Sequence, residues 1–131
     1  MFSNIKTSKA NKEIVSSLTN KLGLGAENTI SRIALAYSIS LERKLDLKDI
    51  RDSGGKEYSV KVLFGEYVDF YIGLMSIHYD IYATNKDIVR YIKMHVDDGL
   101  ELLNIEFQSN HNTTGFEFIA SKIDVGLMEL I

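Results

Sequence analysis

Cysteine, proline and tryptophan are all absent from the 131 residues. Without cysteine there can be no disulfide, no thiolate zinc site, no cysteine-ligated iron–sulfur cluster and no thiol nucleophile. Without proline no residue lacks its amide donor, which suits a helix-rich fold. Long apolar runs are also missing. The longest, from about Tyr67 to Tyr82, is interrupted by Asp69, Ser76, His78 and Asp80, so no membrane span is expected. Apart from Met1, residues 1–10 hold only Phe2 and Ile5 as bulky apolar groups. No signal peptide is therefore expected, and the expected location is the cytoplasm.

What is present describes an ordinary globular chain. Apolar residues make up 45% and charged residues 25%, enough for a core without staples and against disorder. The length fits one domain, 1–131. The net charge of -3 is unevenly placed. Residues 1–51 carry nine bases and five acids (+4), and residues 52–131 six bases and thirteen acids (-7). A basic leading part joined to an acidic remainder can meet a polyanion with one part and keep the other solvated or on a protein partner.

Residues 2–7 can form a short extended segment, and Ser8 is a helix N-cap by its position. Ile14, Val15, Leu18 and Leu22 give one apolar stripe over a first helix, which Gly23 ends. Gly23-Leu24-Gly25-Ala26 reads as a tight turn into a second helix over about 27–45, apolar on more than one face through Ile30, Ile33, Ala34, Leu35, Tyr37, Ile39 and Leu41. Asp46 to Glu57 is a linker by composition. Tyr58, Val60, Val62 and Phe64 alternate as in a strand, with the start of a helix as the alternative. Residues 67–80 predict the central core helix. Thr84 with Asp87 resembles a cap for a further helix through Ile88, Val89, Ile92 and Val96, ending near Asp97-Asp98-Gly99. Leu100 to Phe107 fits helix or strand. Asn110 to Gly115 reads as a loop, followed by a last amphipathic segment with Ile119, Ile123 and Leu127. The fold class expected is mainly α, as a ribbon–helix–helix-like segment (1–45) and a helical core and oligomerisation portion (56–131).

Strand, helix, glycine turn and helix is the plan of ribbon–helix–helix proteins, where two chains pair their strands into a ribbon that enters the major groove. With Ile5 towards the core, alternation turns Asn4 and Lys6 outward. The block Ile5-Lys6-Thr7-Ser8-Lys9, Lys21-Leu22-Gly23-Leu24-Gly25-Ala26-Glu27-Asn28 and Arg32-Ile33-Ala34 resembles the DndE family of DNA sulfur modification proteins. Further stretches are similar in order along the chain: Gly55-Lys56-Glu57, Leu63-Phe64-Gly65-Glu66-Tyr67, His78-Tyr79 and His95-Val96-Asp97-Asp98-Gly99-Leu100. The resemblance implies a small bacterial accessory protein of phosphorothioation, in which sulfur replaces a non-bridging phosphate oxygen. It implies that a cysteine desulfurase, an iron–sulfur protein and an ATPase perform the chemistry. It also implies a homo-oligomer, a tetramer, engaging double-stranded and preferably nicked DNA. On that reading Lys21, at the junction of the first helix and the glycine turn, leads the phosphate contacts, with Lys6, Lys9, Lys12 and Arg32 following.

Catalytic readings are weaker. His78, His95 and His111 lack the one-turn spacing that places two ligands on one helix face. His78 and His95 read as core residues and His111 as a loop residue. Asp97, Asp98 and His95 with magnesium are the candidates for a DNA-nicking enzyme. Gly23-Leu24-Gly25 lacks the Gly-Lys-Ser/Thr ending of a nucleotide loop. Tyr67, Tyr71, Tyr79, Tyr82 and Tyr91 have the spacing of packing residues. The expectation is therefore a non-enzyme with no cofactor and no metal. A metal-dependent nickase and a scaffold that does not bind DNA stand as alternatives.

Overall fold

The computed structural model describes residues 4–109. They form strand β1 (Asn4–Lys6), helices α1 (Lys9–Lys21) and α2 (Glu27–Ser40), a 3-10 turn at Leu47–Asp49 and strand β2 (Glu57–Ser59). Helix α3 (Val60–Phe64), a 3-10 turn at Gly65–Tyr67, and helices α4 (Val68–Tyr79) and α5 (Ile88–Ser109) follow. The fold is mainly α, as the sequence pattern predicts. The loop at 110–115, His111 and the segment bearing Ile119, Ile123 and Leu127 lie outside the described residues.

The core forms where α2 lies across α5. Ile30, Ala34 and Leu35 of α2 meet Ile92, Val96, Leu100 and Leu103 of α5 in one buried cluster, closed by Val15 and Leu18 of α1 and Phe64 of α3. Gly99 sets the closeness of this crossing. A Cβ there would lie 1.9 Å from the Ala34 carbonyl oxygen, so only glycine fits. That packing also explains why α5 runs through Asp97-Asp98-Gly99, where a helix end is predicted, and continues to Ser109. A mid-helix glycine costs about 1 kcal/mol of helix propensity, and the close packing of two helices offsets it.

Four other expectations shift. Helix α2 stops at Ser40, whose hydroxyl donates back to the Tyr37 carbonyl (2.7 Å). Glu42 then turns the chain in the left-handed region (φ 58°), releasing Arg43 and Leu45 to partners on α5 and α4. The extended run at 58–64 is strand only to Ser59, whose hydroxyl accepts from the Val62 amide (3.0 Å) and starts α3. Helix α4 is not the central core helix: Met75 is its one fully buried residue, while Phe70 and Ile77 are 63% and 82% exposed. Asn85, rather than Thr84, turns the chain towards α5, its side chain accepting from the Asp87 amide (2.8 Å).

Strand β1 pairs antiparallel with β2 of its own chain, with Ile5 opposite Tyr58 and Lys6 opposite Glu57. The ribbon plan expects a second chain as the strand's partner, and Glu57–Ser59 takes that place on the paired edge. The alternation holds, with Ile5 buried and Asn4 and Lys6 exposed. No helix among the described residues is long and apolar enough to cross a membrane.

Candidate nucleic-acid interface

The leading segment is positioned by carboxylates that come from far along the chain. Helix α1 has no acid in its first turn, although the free amides there favour negative charge. Ser8 accepts from the Asn11 amide (3.3 Å). Asp52 accepts from the Lys9 amide (2.8 Å), and Asp97 of α5 accepts from the Ser8 amide (3.0 Å) and the Asn11 side-chain amide (2.7 Å). The backbone hydrogen bonds to Asp52 hold its carboxyl below the usual carboxylate range. Asp97 itself is buried and paired with buried Lys93 (2.7 Å). Gly55 lets the 52–57 strip lie against this helix start, because a Cβ there would fall 2.1 Å from the Ser8 carbonyl oxygen. Its amide donates to the Thr7 carbonyl (3.0 Å), and the Lys56 amide donates to the Thr7 hydroxyl (2.8 Å).

On this frame the five expected phosphate contacts separate into groups. Lys6, Lys9 and Lys12 are exposed at the β1–α1 start. The Lys9 stem borders the position of a Gly54 Cβ, and Lys12 acts at longer range on Glu27. Glu27 is held low chiefly by its hydrogen bond from Ser16 (3.0 Å), then by Lys56 (3.2 Å) and Lys12. Lys21 stands at the other end of α1, about 18 Å along the axis from Lys9 and about 120° around it. Arg32 is half-buried on α2, where its charge reaches Tyr71 of α4. Within one chain, then, three of the five lie together while Lys21 and Arg32 lie apart. None of the five forms an ion pair among the described residues. Every ion pair there takes a cation from Arg43 onward, namely Arg43, Lys48, Arg51, Lys56, Arg90 and Lys93.

The structure adds basic residues that the sequence reading did not select. Arg90 and Lys93 of α5 line a shallow cavity of about 240 Å³ with Lys6, Asn4 and Ser53. Their spacing of three residues on one helix was the available signal. Nothing in the sequence, however, places that helix face beside β1.

The residues considered for nicking are engaged internally. Asp98 accepts two bonds from Arg43 (2.7 and 2.9 Å) and one from the Ser38 hydroxyl (2.6 Å). His95 is fully buried between Ser38 (Nδ1 to Oγ, 2.8 Å) and Tyr79 (Nε2 to OH, 2.5 Å). Because the Ser38 proton goes to Asp98, the donors are consistent with a neutral ring whose Nδ1–H donates to Ser38. Nε2 then accepts from Tyr79, whose oxygen in turn accepts from the Leu45 amide (3.0 Å). Burial, and then the charge of neighbouring His78, push the His95 pKa down to about 4. A serine, a histidine and an aspartate thus meet, but Ser38 is fully buried, so no substrate reaches its oxygen. The trio cross-links α2 and α5, and Tyr79 adds α4. Among the described residues no group of three or more His, Asp or Glu is arranged to hold a metal ion.

Comparison with known proteins supplies the family context. A family model described as DNA sulphur modification protein DndE matches residues 4–111. Among solved structures, the chain is similar to the crystal structure of DndE from Escherichia coli B7A, described as involved in DNA phosphorothioation modification. The TM-score is 0.63 at 18% identity, covering 79% of this chain and 99% of that one. At that identity the likeness speaks to the fold. No curated protein matches the chain.

Proposed function

The chain belongs to the DndE family of DNA sulphur modification proteins, and on that premise we propose that it is a DNA-binding accessory subunit of bacterial phosphorothioation. It engages duplex DNA, nicked duplex in preference, through Lys21, Lys6, Lys9, Lys12 and Arg32, and acts in the cytoplasm beside the sulfur-transferring proteins. The observation that carries this reading is that all five cations of the first forty residues are without an ion-pair partner among the described residues. Cations left free are the ones able to exchange counterions for phosphates.

On this reading residues 1–45 form the DNA-facing segment and residues 56–131 the portion that assembles copies of the chain. The exposed apolar side chains Val62, Tyr67, Phe70, Ile77 and Tyr82 support a homo-oligomer, and the family resemblance favours a tetramer. Several copies would bring their separated Lys21 and Lys9 groups onto one duplex. The same apolar surface also favours a second reading, a scaffold for partner proteins that does not touch DNA.

Gel shifts on nicked, intact and single-stranded DNA across a salt series test the proposal. Five contacts give a log–log salt slope of roughly -4 to -5, and Lys21→Ala makes it shallower by about 1. Absence of binding at low salt overturns DNA binding and leaves the scaffold. Magnesium-dependent nicking of supercoiled plasmid that is lost in Asp98→Asn overturns the non-enzyme role.

A further inference from the structure

Strand β1 and helix α5 border a shallow, partly apolar cavity whose cations come from residues far apart in the chain. Asn4, Ile5 and Lys6 form one side, Val89, Arg90 and Lys93 the other, and Ile50 and Ser53 close it. Three basic residues around one cavity of about 240 Å³ repel one another unless acids or a bound anion compensate them. The compensation is unequal. The Lys93 ammonium is already spent on Asp97 at 2.7 Å, with both side chains buried, so it serves as a wall. Arg90 is 64% exposed and meets only Asp87, at 3.6 Å, beyond hydrogen-bonding reach.

Lys6 has the acid Glu57 directly opposite in the sheet. The Glu57 carboxylate, however, is taken by the Asn4 amide at 2.5 Å, and Lys6 forms no ion pair among the described residues. Asp52, the remaining nearby acid, accepts from the Lys9 and Gly54 amides (2.8 and 3.0 Å). Glu57 and Asp52 therefore have other partners, and Asp87 meets Arg90 without a hydrogen bond, so Lys6 and Arg90 remain open to a ligand. Ser53 adds a hydroxyl, and the Ile5, Ile50 and Val89 side chains line the rest.

We infer that this cavity is a phosphodiester site, in which Lys6 and Arg90 grip one DNA backbone phosphate, or two adjacent ones, from opposite sides. Arg90 contributes the planar fork suited to phosphate oxygens, and Lys6 contributes a point charge. The inference rests on the DNA-binding reading and extends it. It adds α5 to the interface and makes Lys6 part of a two-sided clamp instead of an isolated contact.

The test is the salt dependence of duplex binding by the full chain, wild type against Lys6→Gln/Arg90→Gln, with Lys61→Gln on α3 as a charge control. Both substituted side chains of the double variant are exposed, and circular dichroism checks that its helix content is kept. The expected result is a slope shallower by about 2 in the double variant and unchanged in Lys61→Gln. In addition, amide resonances of residues 4–6, 53 and 89–93 should shift on titrating a short duplex into the labelled wild-type chain. A wild-type chain that binds no duplex overturns the DNA reading and the cavity with it. Binding whose slope is the same in the double variant overturns the cavity alone. An equal fall in Lys61→Gln assigns the effect to net charge and also overturns the cavity.

Discussion

The cations before residue 40 and six of the nine described cations after residue 42 are used differently. Lys6, Lys9, Lys12, Lys21 and Arg32 form no ion pair among the described residues, whereas Arg43, Lys48, Arg51, Lys56, Arg90 and Lys93 each meet a carboxylate. Supply explains part of this, since thirteen of the eighteen acids follow residue 51. Supply is not the whole reason. Asp52 and Asp97 both reach the start of α1, yet they accept from its backbone amides and leave its lysines alone. Glu27, an acid of the leading segment, pairs with Lys56 from the later part. Arg43, Arg51 and Lys56 of the later part tie distant elements together, whereas the early cations form no ion pair among the described residues. Unpaired cations beside available acids are what the proposed DNA-binding role requires.

The largest effect that sharpens this contrast is expected in the paired part. Asp97→Ala leaves Lys93 buried without its counter-charge and removes the acceptor for the Ser8 amide and the Asn11 side chain. Breaking a buried pair from one side costs about 3–5 kcal/mol, read as a lower urea midpoint at unchanged slope. A loss below about 1 kcal/mol would show that Asp97 is not the joint between α1 and α5.

A somewhat smaller effect is expected from pH at His95. Its folded pKa is about 4, against about 6.5 when unfolded. Between those values the unfolded chain takes up a proton that the folded chain refuses, so stability falls as pH drops from about 6.5 and levels off near 4. Complete titration is worth about 3 kcal/mol at most. Glu27 and Asp52, both shifted downward, also favour folding above their unfolded pKa values. They lose that contribution only as pH falls through the lower carboxylate range. Denaturation at pH 7 and pH 5 therefore isolates the histidine, and His95→Gln flattens that interval. An unchanged profile in that variant would mean the ring is not held neutral by burial.

Much of this arrangement was legible in local sequence, and the rest was not, for identifiable reasons. The Ser8 cap, the α1 stripe and the end of α1 before Gly23, which turns in the left-handed region (φ 66°), follow from residues within one or two helical turns of each other. The course of α5 through Gly99 was illegible, because the glycine answers to Ala34, sixty-five positions earlier, and not to its own helix. The peripheral place of α4 was hidden for the opposite reason. It is apolar on all sides, so periodicity could not say which side is covered. The strand's partner also escaped, since a three-residue edge carries no register information until Tyr58 is seen opposite Ile5. The basic residues expected to contact phosphate could be named one by one, but not their grouping. Lys21 and Lys9 share a helix yet face different ways, while Lys6 and Arg90 are eighty-four positions apart and share a cavity.

The smallest effect on stability is expected where the effect on binding should be large. The variant Lys6→Gln/Lys9→Gln/Lys12→Gln/Lys21→Gln removes four exposed charges that contact no acid among the described residues. Exposed substitutions of this kind shift stability by no more than about 0.5 kcal/mol each. The sign need not be unfavourable, because the leading segment carries a net positive charge that these changes relieve. Lys21 is the one member with a local structural role, since a cation in the last turn of α1 interacts favourably with the helix dipole, for about 0.3–1 kcal/mol. Lys12 is the other to watch, because Glu27 feels its charge. The expected signature is thus an almost unmoved urea midpoint beside a DNA salt slope shallower by about 4. If the quadruple variant instead unfolds readily, these lysines belong with Lys93 as supports of the fold, and the contrast between the two parts of the chain disappears.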